Sequence, residues 1–364
     1  LKPFIYAEAI EGGLLAEATV MRDEPVRYGN YLPANYSGSF AGDVTAAEAL
    51  SRSLNMPVIK LLSQLGVDRV AKRFNEMSLI DGQIKEVART KGLTIALGTS
   101  GVSPLRLATA YTALANGGVM SEYAFTVNKE GRQTTMFTRG TADMVSLMLR
   151  KHPLVGSTVD VAWKTGTSNG LFDAWCVAYT PDYVLAVWFG NKNGRPSSSL
   201  VGGKVAAPVA ARIMSSLYAK REPPQWPQPD DTLIHARLCR HSGMLPSSDC
   251  KDYTYGWVLK DFALRRCSRC GVNAIPKINI LSPRPTVYIA EEKHGVRLYL
   301  SANMKVLWYL DGVYLDDYSD EDGILVRPGV HSVYAIAPDG NAESASVTFT
   351  VAKSAFVTSN AAKY

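Results

Sequence analysis

Residues 161–190 read VAWKTGTSNGLFDAWCVAYTPDYVLAVWFG, and this stretch decides the fold. The β-prone run Val159–Trp163 ends in Lys164-Thr165-Gly166. Asp173–Tyr179 and Tyr183–Phe189 are two further β-prone runs, and the Thr180-Pro181-Asp182 turn between them predicts an antiparallel hairpin. Lys204–Ala219 then predicts a helix, with apolar spacing at Val205, Val209, Ile213 and Leu217. A strand, a hairpin and a closing helix imply a mixed α/β (α+β) domain built on an antiparallel sheet with flanking helices.

Upstream the pattern is mainly helical. Lys2–Gly13 (KPFIYAEAIEGG) has helix formers and a Gly-Gly stop, and Thr45 caps a second helix that ends before Pro57. Val58–Leu65 predicts another short helix, and Ser103-Pro104 opens a longer one closed by Gly117-Gly118. Asp23–Gly42, rich in Pro, Gly, Asn and Tyr, reads as an irregular loop. Downstream, Arg221–Asp231 (REPPQWPQPDD) is Pro-rich and polar, the composition of a linker. From Pro285 short strand patterns recur at Thr286–Ile289, Val296–Leu300, Val306–Leu310, Val330–Ile336 and Ala345–Val351, with turns at Asp311-Gly312 and Asp339-Gly340. They predict a small all-β sandwich. The expected organisation is therefore a first domain over 1–222, a linker and cysteine-bearing connector over 223–280, a β-sandwich module over 281–355 and a tail over 356–364.

Composition narrows the function classes. The chain has 364 residues with 46% apolar and 20% charged, which suits packed domains and excludes wholesale disorder. The net charge of +6 divides into −3 over Leu281–Tyr364 and +9 elsewhere. No polybasic run accompanies the excess, so a nucleic-acid partner is not expected. No apolar run approaches the ~18 residues that cross a bilayer.

Three short motifs stand in a telling order: Lys2 at the first helix, Ser53-Leu54-Asn55 after the second, and Lys164-Thr165-Gly166-Thr167 on the strand. Alone, each is commonplace: a solvated lysine, a helix end, a strand end. Together they match the S-x-x-K, S-x-N and K-T-G set of serine acyl-transferases that bind penicillin. LKPFIYAEAIEGG, AEALSRSLNMPVIKLL, LGTSGVSPLRLATAYTALANGGV and KTGTSNGLFDAWCVAYTPDYVLAVWFG resemble stretches of class A penicillin-binding proteins, and the spaced cysteines with the terminal sandwich are similar to the 1C type.

The resemblance implies a serine transpeptidase/β-lactamase-like fold and a peptidoglycan D,D-transpeptidase acting through an acyl-serine. Counting back from Lys2 places the nucleophilic Ser two residues before Leu1, so residues 1–364 by themselves are expected to be inactive. The roles follow from the needs of acylation. Lys2 is the base, its pKa lowered by burial and by the Lys164 cation. Ser53 relays a proton to the leaving amine, and Asn55 bonds Lys2 and a substrate amide. Thr165 and Thr167 hold the terminal carboxylate with Lys164, Gly166 admits the substrate backbone, and the Thr167 N–H serves an oxyanion hole. Donors ending in D-Ala-D-Ala and β-lactams are the implied ligands. An upstream glycosyltransferase, a membrane anchor and a periplasmic, inner-membrane-anchored location are implied for the whole protein. A D,D-carboxypeptidase or β-lactamase-type hydrolase and a catalytically silent β-lactam-binding scaffold are the alternatives. Trp163 and Trp175 flank the K-T-G, and core packing outweighs ligand stacking for both.

No cofactor is expected for catalysis. Cys176 stands alone in a strand and reads as a buried small hydrophobe. Cys239, Cys250, Cys267 and Cys270 have a spacing that fits either a structural zinc site or a pair of disulfides. The sequence leaves the two open.

Overall fold

The computed structural model describes residues 1–24, 33, 35–36, 39–126, 131–260, 266–270, 278–290, 295–316, 318–338 and 344–352. The Asp339-Gly340 turn, the tail over 356–364 and parts of the 23–42 loop and of the connector lie outside them. The chain divides into two compact units, residues 1–23 with 41–267, and residues 24–40 with 268–364.

The first unit runs α1 (Lys2–Glu11), β1 (Val20–Asp23), β2 (Gly42–Thr45), α2 (Ala46–Ser51), α3 (Asn55–Leu65), α4 (Val67–Glu76), α5 (Ile84–Lys91), α6 (Pro104–Ala115), β3 (Val119–Ser121), β4 (Gln133–Thr135), α7 (Arg139–Arg150), β5 (Ala162–Thr167), β6 (Asp173–Tyr179), β7 (Val184–Gly190), α8 (Gly202–Leu217), β8 (Leu233–Cys239) and β9 (Tyr253–Leu259). Local chemistry sets the boundaries that matter for the site. Thr45 and Glu48 close a reciprocal capping box at the start of α2. Ser103 caps α6, with Pro104 in its first turn. Pro57 does not delay α3, which begins at Asn55. Pro57 lies in the first turn, where the amide it lacks would have had no intrahelical partner.

The sheet is antiparallel in the order β5-β6-β7, with Thr165 opposite Cys176 and Cys176 opposite Val187. One face packs on α8 through Cys176, Ala178 and Val187 against Ala206, Ala207, Ala210, Ala211 and Met214. The helix thus buries its small residues, and Ile213 and Leu217 of the large-residue stripe are 37% and 36% exposed. Alanines win this face because they let the helix axis approach the strands closely. On the other side Tyr179 of β6 meets Tyr111 of α6 edge-on at 6.0 Å, and Tyr111 meets Phe4 of α1 at 5.0 Å. Helix α1 is buried from Pro3 to Ile10 on every side, the signature of a central helix.

The Pro-rich stretch 221–231 is a docked strap rather than a free tether. Trp226 donates its indole N–H to Asp160 O (3.1 Å), stacks under Arg150 (4.2 Å) and meets Tyr179 edge-on (6.0 Å). Asp230 N–H bonds Asp143 Oδ2 at 3.0 Å. An aromatic flanked by prolines loses little entropy on docking, which explains why a linker-like composition is held in place.

The second unit contains β10 (Ile280–Ser282), β11 (Val287–Ile289), β12 (Val296–Leu298), β13 (Ser301–Ala302), β14 (Leu307–Leu310), β15 (Val313–Tyr314), β16 (Ile324–Val326), β17 (Gly329–Ile336) and β18 (Val347–Ala352). Five strands form a sheet in the order β11-β18-β17-β14-β15, and β12 pairs with β16. Leu298 and Val326 from the smaller pair share a core with Trp308, Val333, Ala335, Phe349 and Val351. Two layers sharing one core make the expected sandwich. The Asp311-Gly312 turn has φ of 53° and 81°, the left-handed pair that a tight hairpin needs. Among the described residues no helix is long and apolar enough to cross a membrane.

Replacing Trp226 with Ala should cost about 2 kcal/mol, given its half-buried ring and its cation–π contact. It should also turn 221–231 into the first site of limited proteolysis. Unchanged stability and an unchanged digestion map would show that the strap is held elsewhere.

Candidate active site

Three elements bring the sequence motifs together. Lys2 opens α1, and its Nζ donates to Ser53 O (2.6 Å), Leu54 O (3.1 Å) and Asn55 Oδ1 (2.6 Å). The S-x-N segment owes its shape to the end of α2. Ser53 N–H bonds Leu50 O (3.0 Å) and Leu54 N–H bonds Ala49 O (2.9 Å). These two bonds are a Schellman ending, which requires its C′ residue to be left-handed. Ser53 occupies that position at φ 58°, where glycine is usual. The turn aims two main-chain carbonyls at Lys2 and starts α3 at Asn55, whose side chain supplies the third acceptor.

Burial pushes the Lys2 amine well below the ordinary lysine range, and the Lys164 charge pushes the same way. Asp23, itself buried, opposes them. A neutral amine retains two hydrogens for the surrounding oxygens, so deprotonation does not strand the nitrogen. Lys164 is 6% exposed, and its Nζ donates to Thr165 O at 2.9 Å. Burial lowers its pKa to about 8. Cys176 lies fully in the core, and burial raises its thiol to about 12, a group held neutral at physiological pH.

The pleat places Lys164 and Gly166 on one face of β5 and Thr165 and Thr167 on the other. Thr167 Oγ accepts the Gly202 N–H at 3.0 Å, so the K-T-G-T end of the strand abuts the first turn of α8. The positive end of a 16-residue helix therefore lies beside the strand that the motif assigns to a carboxylate. A Cβ on Gly202 would stand 2.4 Å from Gly166 O and 2.6 Å from Trp175 O, so this approach requires glycine. A Cβ on Gly166 would meet only the Trp175 side chain, at 3.4 Å. The protein's own packing thus gives Gly166 little reason to be glycine, and an incoming backbone gives a better one. Trp163 packs against the α8 cluster and bonds His152 O (2.8 Å), while Trp175 pairs with Trp188 at 6.2 Å.

Sequence reasoning missed Gly202, for which the Gly202-Gly203 pair before a helix was the available signal. It also missed the charges that hold α1 from the side. Glu8, 2% exposed inside α1, is paired with Arg69 (2.9 Å) and Arg73 of α4. The other sequence-derived group is the four cysteines. The sulfur atoms of Cys239, Cys250, Cys267 and Cys270 all lie within 4.8 Å of one another.

Similarity to known proteins follows the same residues. A family model described as the penicillin binding protein transpeptidase domain matches residues 1–215. Penicillin-binding protein 1C of Escherichia coli is 29% identical over 269 residues, covering 71% of this chain and 34% of the relative. Penicillin-binding protein 1A of Neisseria lactamica is 30% identical over 240 residues, covering 57% and 29% respectively. The chain spans about a third of the length of these curated relatives. Among solved structures, penicillin-binding protein 1A from Haemophilus influenzae shares the fold, with a TM-score of 0.62 at 18% identity over 73% of this chain and 48% of that one. Mycobacterium tuberculosis PonA1 in complex with penicillin V gives a TM-score of 0.53 at 25% identity over 63% of this chain and 71% of that one.

Ser53→Gly should relieve the left-handed strain and raise unfolding free energy by about 1 kcal/mol in urea melts. Ser53→Ala should give no such gain. A destabilised Ser53→Gly chain would show that the serine hydroxyl outweighs the backbone strain.

Proposed function

Because this chain belongs to the penicillin-binding protein transpeptidase-domain family, we propose that it serves a peptidoglycan D,D-transpeptidase. The observation that carries the proposal is the Lys2 amine, enclosed by Ser53 O, Leu54 O and Asn55 Oδ1 and depressed by burial and by Lys164. The nucleophile in this reading is a serine two residues before Leu1, one helical turn from Lys2 and on its side of the helix.

The steps balance as an acyl transfer. The serine Oγ attacks the carbonyl of the penultimate D-alanine as Lys2 Nζ takes its proton. The peptide C–N bond breaks, and a proton passes through the Ser53 hydroxyl to the departing D-alanine amine. The amine of a second stem peptide then attacks the acyl-serine, gives up a proton to Lys2 and leaves the serine protonated again. The Thr165 and Thr167 hydroxyls and the α8 N-terminus hold the donor's terminal carboxylate from one face of β5, and Lys164, on the other face, supplies the cation beside Lys2. The Thr167 N–H stabilises the oxyanion. β-Lactams enter as donor mimics whose leaving amine stays tethered. The D,D-transpeptidase assignment over a hydrolase rests on the family resemblance. The whole protein is proposed to add a glycosyltransferase and a membrane anchor and to work in the periplasm at the inner membrane.

The test is acylation by a fluorescent penicillin of the chain extended to include that serine. Labelling is expected there and not with residues 1–364 alone, and Lys2→Ala should slow it by roughly 100- to 10,000-fold. Lys2 acts as the neutral amine, so the rate should rise with pH through its lowered pKa. Lys164 acts as the cation, so the rate should fall above about pH 8, where Lys164 loses its proton. Labelling unaffected by Lys2→Ala, or a rate still climbing past pH 9, would sink the assignment.

A further inference from the structure

We propose that Cys239, Cys250, Cys267 and Cys270 hold one structural zinc ion as a tetrathiolate that braces the segment following the catalytic helix. Geometry is the first support. The four sulfur atoms lie within 4.8 Å of one another, and Cys239, Cys250 and Cys267 are buried. Zn–S bonds of about 2.3 Å give a tetrahedron with edges of about 3.8 Å, which this span accommodates. Two disulfides would instead draw the sulfurs into pairs about 2 Å apart and give the pairs no reason to converge.

One short loop organises three of the four ligands. Cys239 N–H bonds Met244 O (2.8 Å) and Gly243 N–H bonds Cys239 O (2.7 Å), which folds the chain tightly after the first cysteine. Ser247 N–H donates to Cys250 Sγ at 3.3 Å, and the Ser247 hydroxyl lies 3.4 Å from the same sulfur. Cys267 N–H bonds Leu245 O at 2.6 Å. Cys270 follows Cys267 by three residues, so the C-x2-C spacing brings its thiol to the group. Amide donors on a ligand sulfur are what a thiolate requires around a metal.

Charge is the independent second support. Every cysteine of the group has a basic neighbour in sequence: Arg240, Lys251, Arg266 and Arg269. Zinc binding to four thiols releases four protons and leaves a net charge of −2, which a basic sequence neighbourhood favours, although Arg240 is also paired with Asp252 at 2.9 Å. A pair of disulfides is neutral and makes no such demand.

The loop has a definite load. Val20 N–H bonds Ser242 O (3.0 Å), and Trp257 N–H bonds Glu17 Oε2 (3.2 Å). A Cβ on Gly243, at φ 67°, would stand 1.8 Å from Ala18 O, so loop and segment are in direct main-chain contact. Residues 16–19 lie between α1, which carries Lys2, and β1, which runs from Val20 to Asp23.

The full chain, isolated without chelator, reductant or added metal, should contain one zinc per molecule, released by an organomercurial together with four thiols. Cobalt replacement should give the charge-transfer and d–d bands of a tetrahedral sulfur site. Cys250→Ser should lose the metal and lower the Tm, whereas Cys176→Ser should keep one zinc. The stoichiometry of the unmutated chain decides the matter even where a variant fails to fold. Iron in place of zinc, a single titratable thiol in the denatured chain, or five reactive thiols without metal would each overturn the proposal.

Discussion

Two buried lysine amines, with the Lys164 charge acting on Lys2, are the constraint on which this site depends. Among the described residues, neutral oxygens accept the hydrogen bonds of both amines. The oxygens that accept from Lys2 are two carbonyls and an amide, and Lys164 donates to a carbonyl. Glu8 on the same helix shows the other solution to buried charge, with two guanidinium groups gathered on one carboxylate. Where opposite charges meet, both ionise; where like charges are enclosed together, one gives up its proton. The arrangement around Lys2 is of the second kind, and it holds the amine well below the ordinary lysine range.

That arrangement sets requirements on distant parts of the chain. The helix bearing Lys2 must be surrounded, so its residues from Phe4 to Ala7 are wholly inaccessible to solvent. The carbonyls must point at the amine, so the end of α2 is given to a left-handed serine. A Gly at position 53 would suit the turn better but would remove the hydroxyl to which the proposed mechanism gives the proton relay. Local strain is tolerated here because the cap bonds and the α1 contact fix the conformation from both sides.

The sequence made these features legible unequally, for physical reasons. The β5–β7 sheet was readable because strand patterns and a Thr-Pro-Asp turn are local signals. Lys2, Ser53, Asn55 and Lys164 were readable as motifs, whereas the left-handed turn was not, because its position ordinarily signals glycine. Gly202 was hidden because its reason lies 36 residues earlier, at the Gly166 carbonyl. The apolar stripe of α8 misled because the pattern weighs large residues, and the sheet selected the small ones. The strap misled for the opposite reason, since proline-rich composition describes an unbound chain and Trp226 binds it down.

The transpeptidase family model ends at residue 215, yet the physical unit does not. From Phe4 on α1, ring contacts run through Tyr111 and Tyr179 to Trp226 and the Arg150 guanidinium. At the far end of the same helix, the segment 16–20 lies against the turn after Cys239 and the β9 strand. Both supports come from residues beyond 220. A helix that carries a desolvated lysine gains nothing from its own polar contacts with water, so its stability comes from neighbours that exclude it. Those neighbours include the strap and the cysteine loop. The framework of the candidate site therefore extends through β9, and the residues after the matched domain belong to its support.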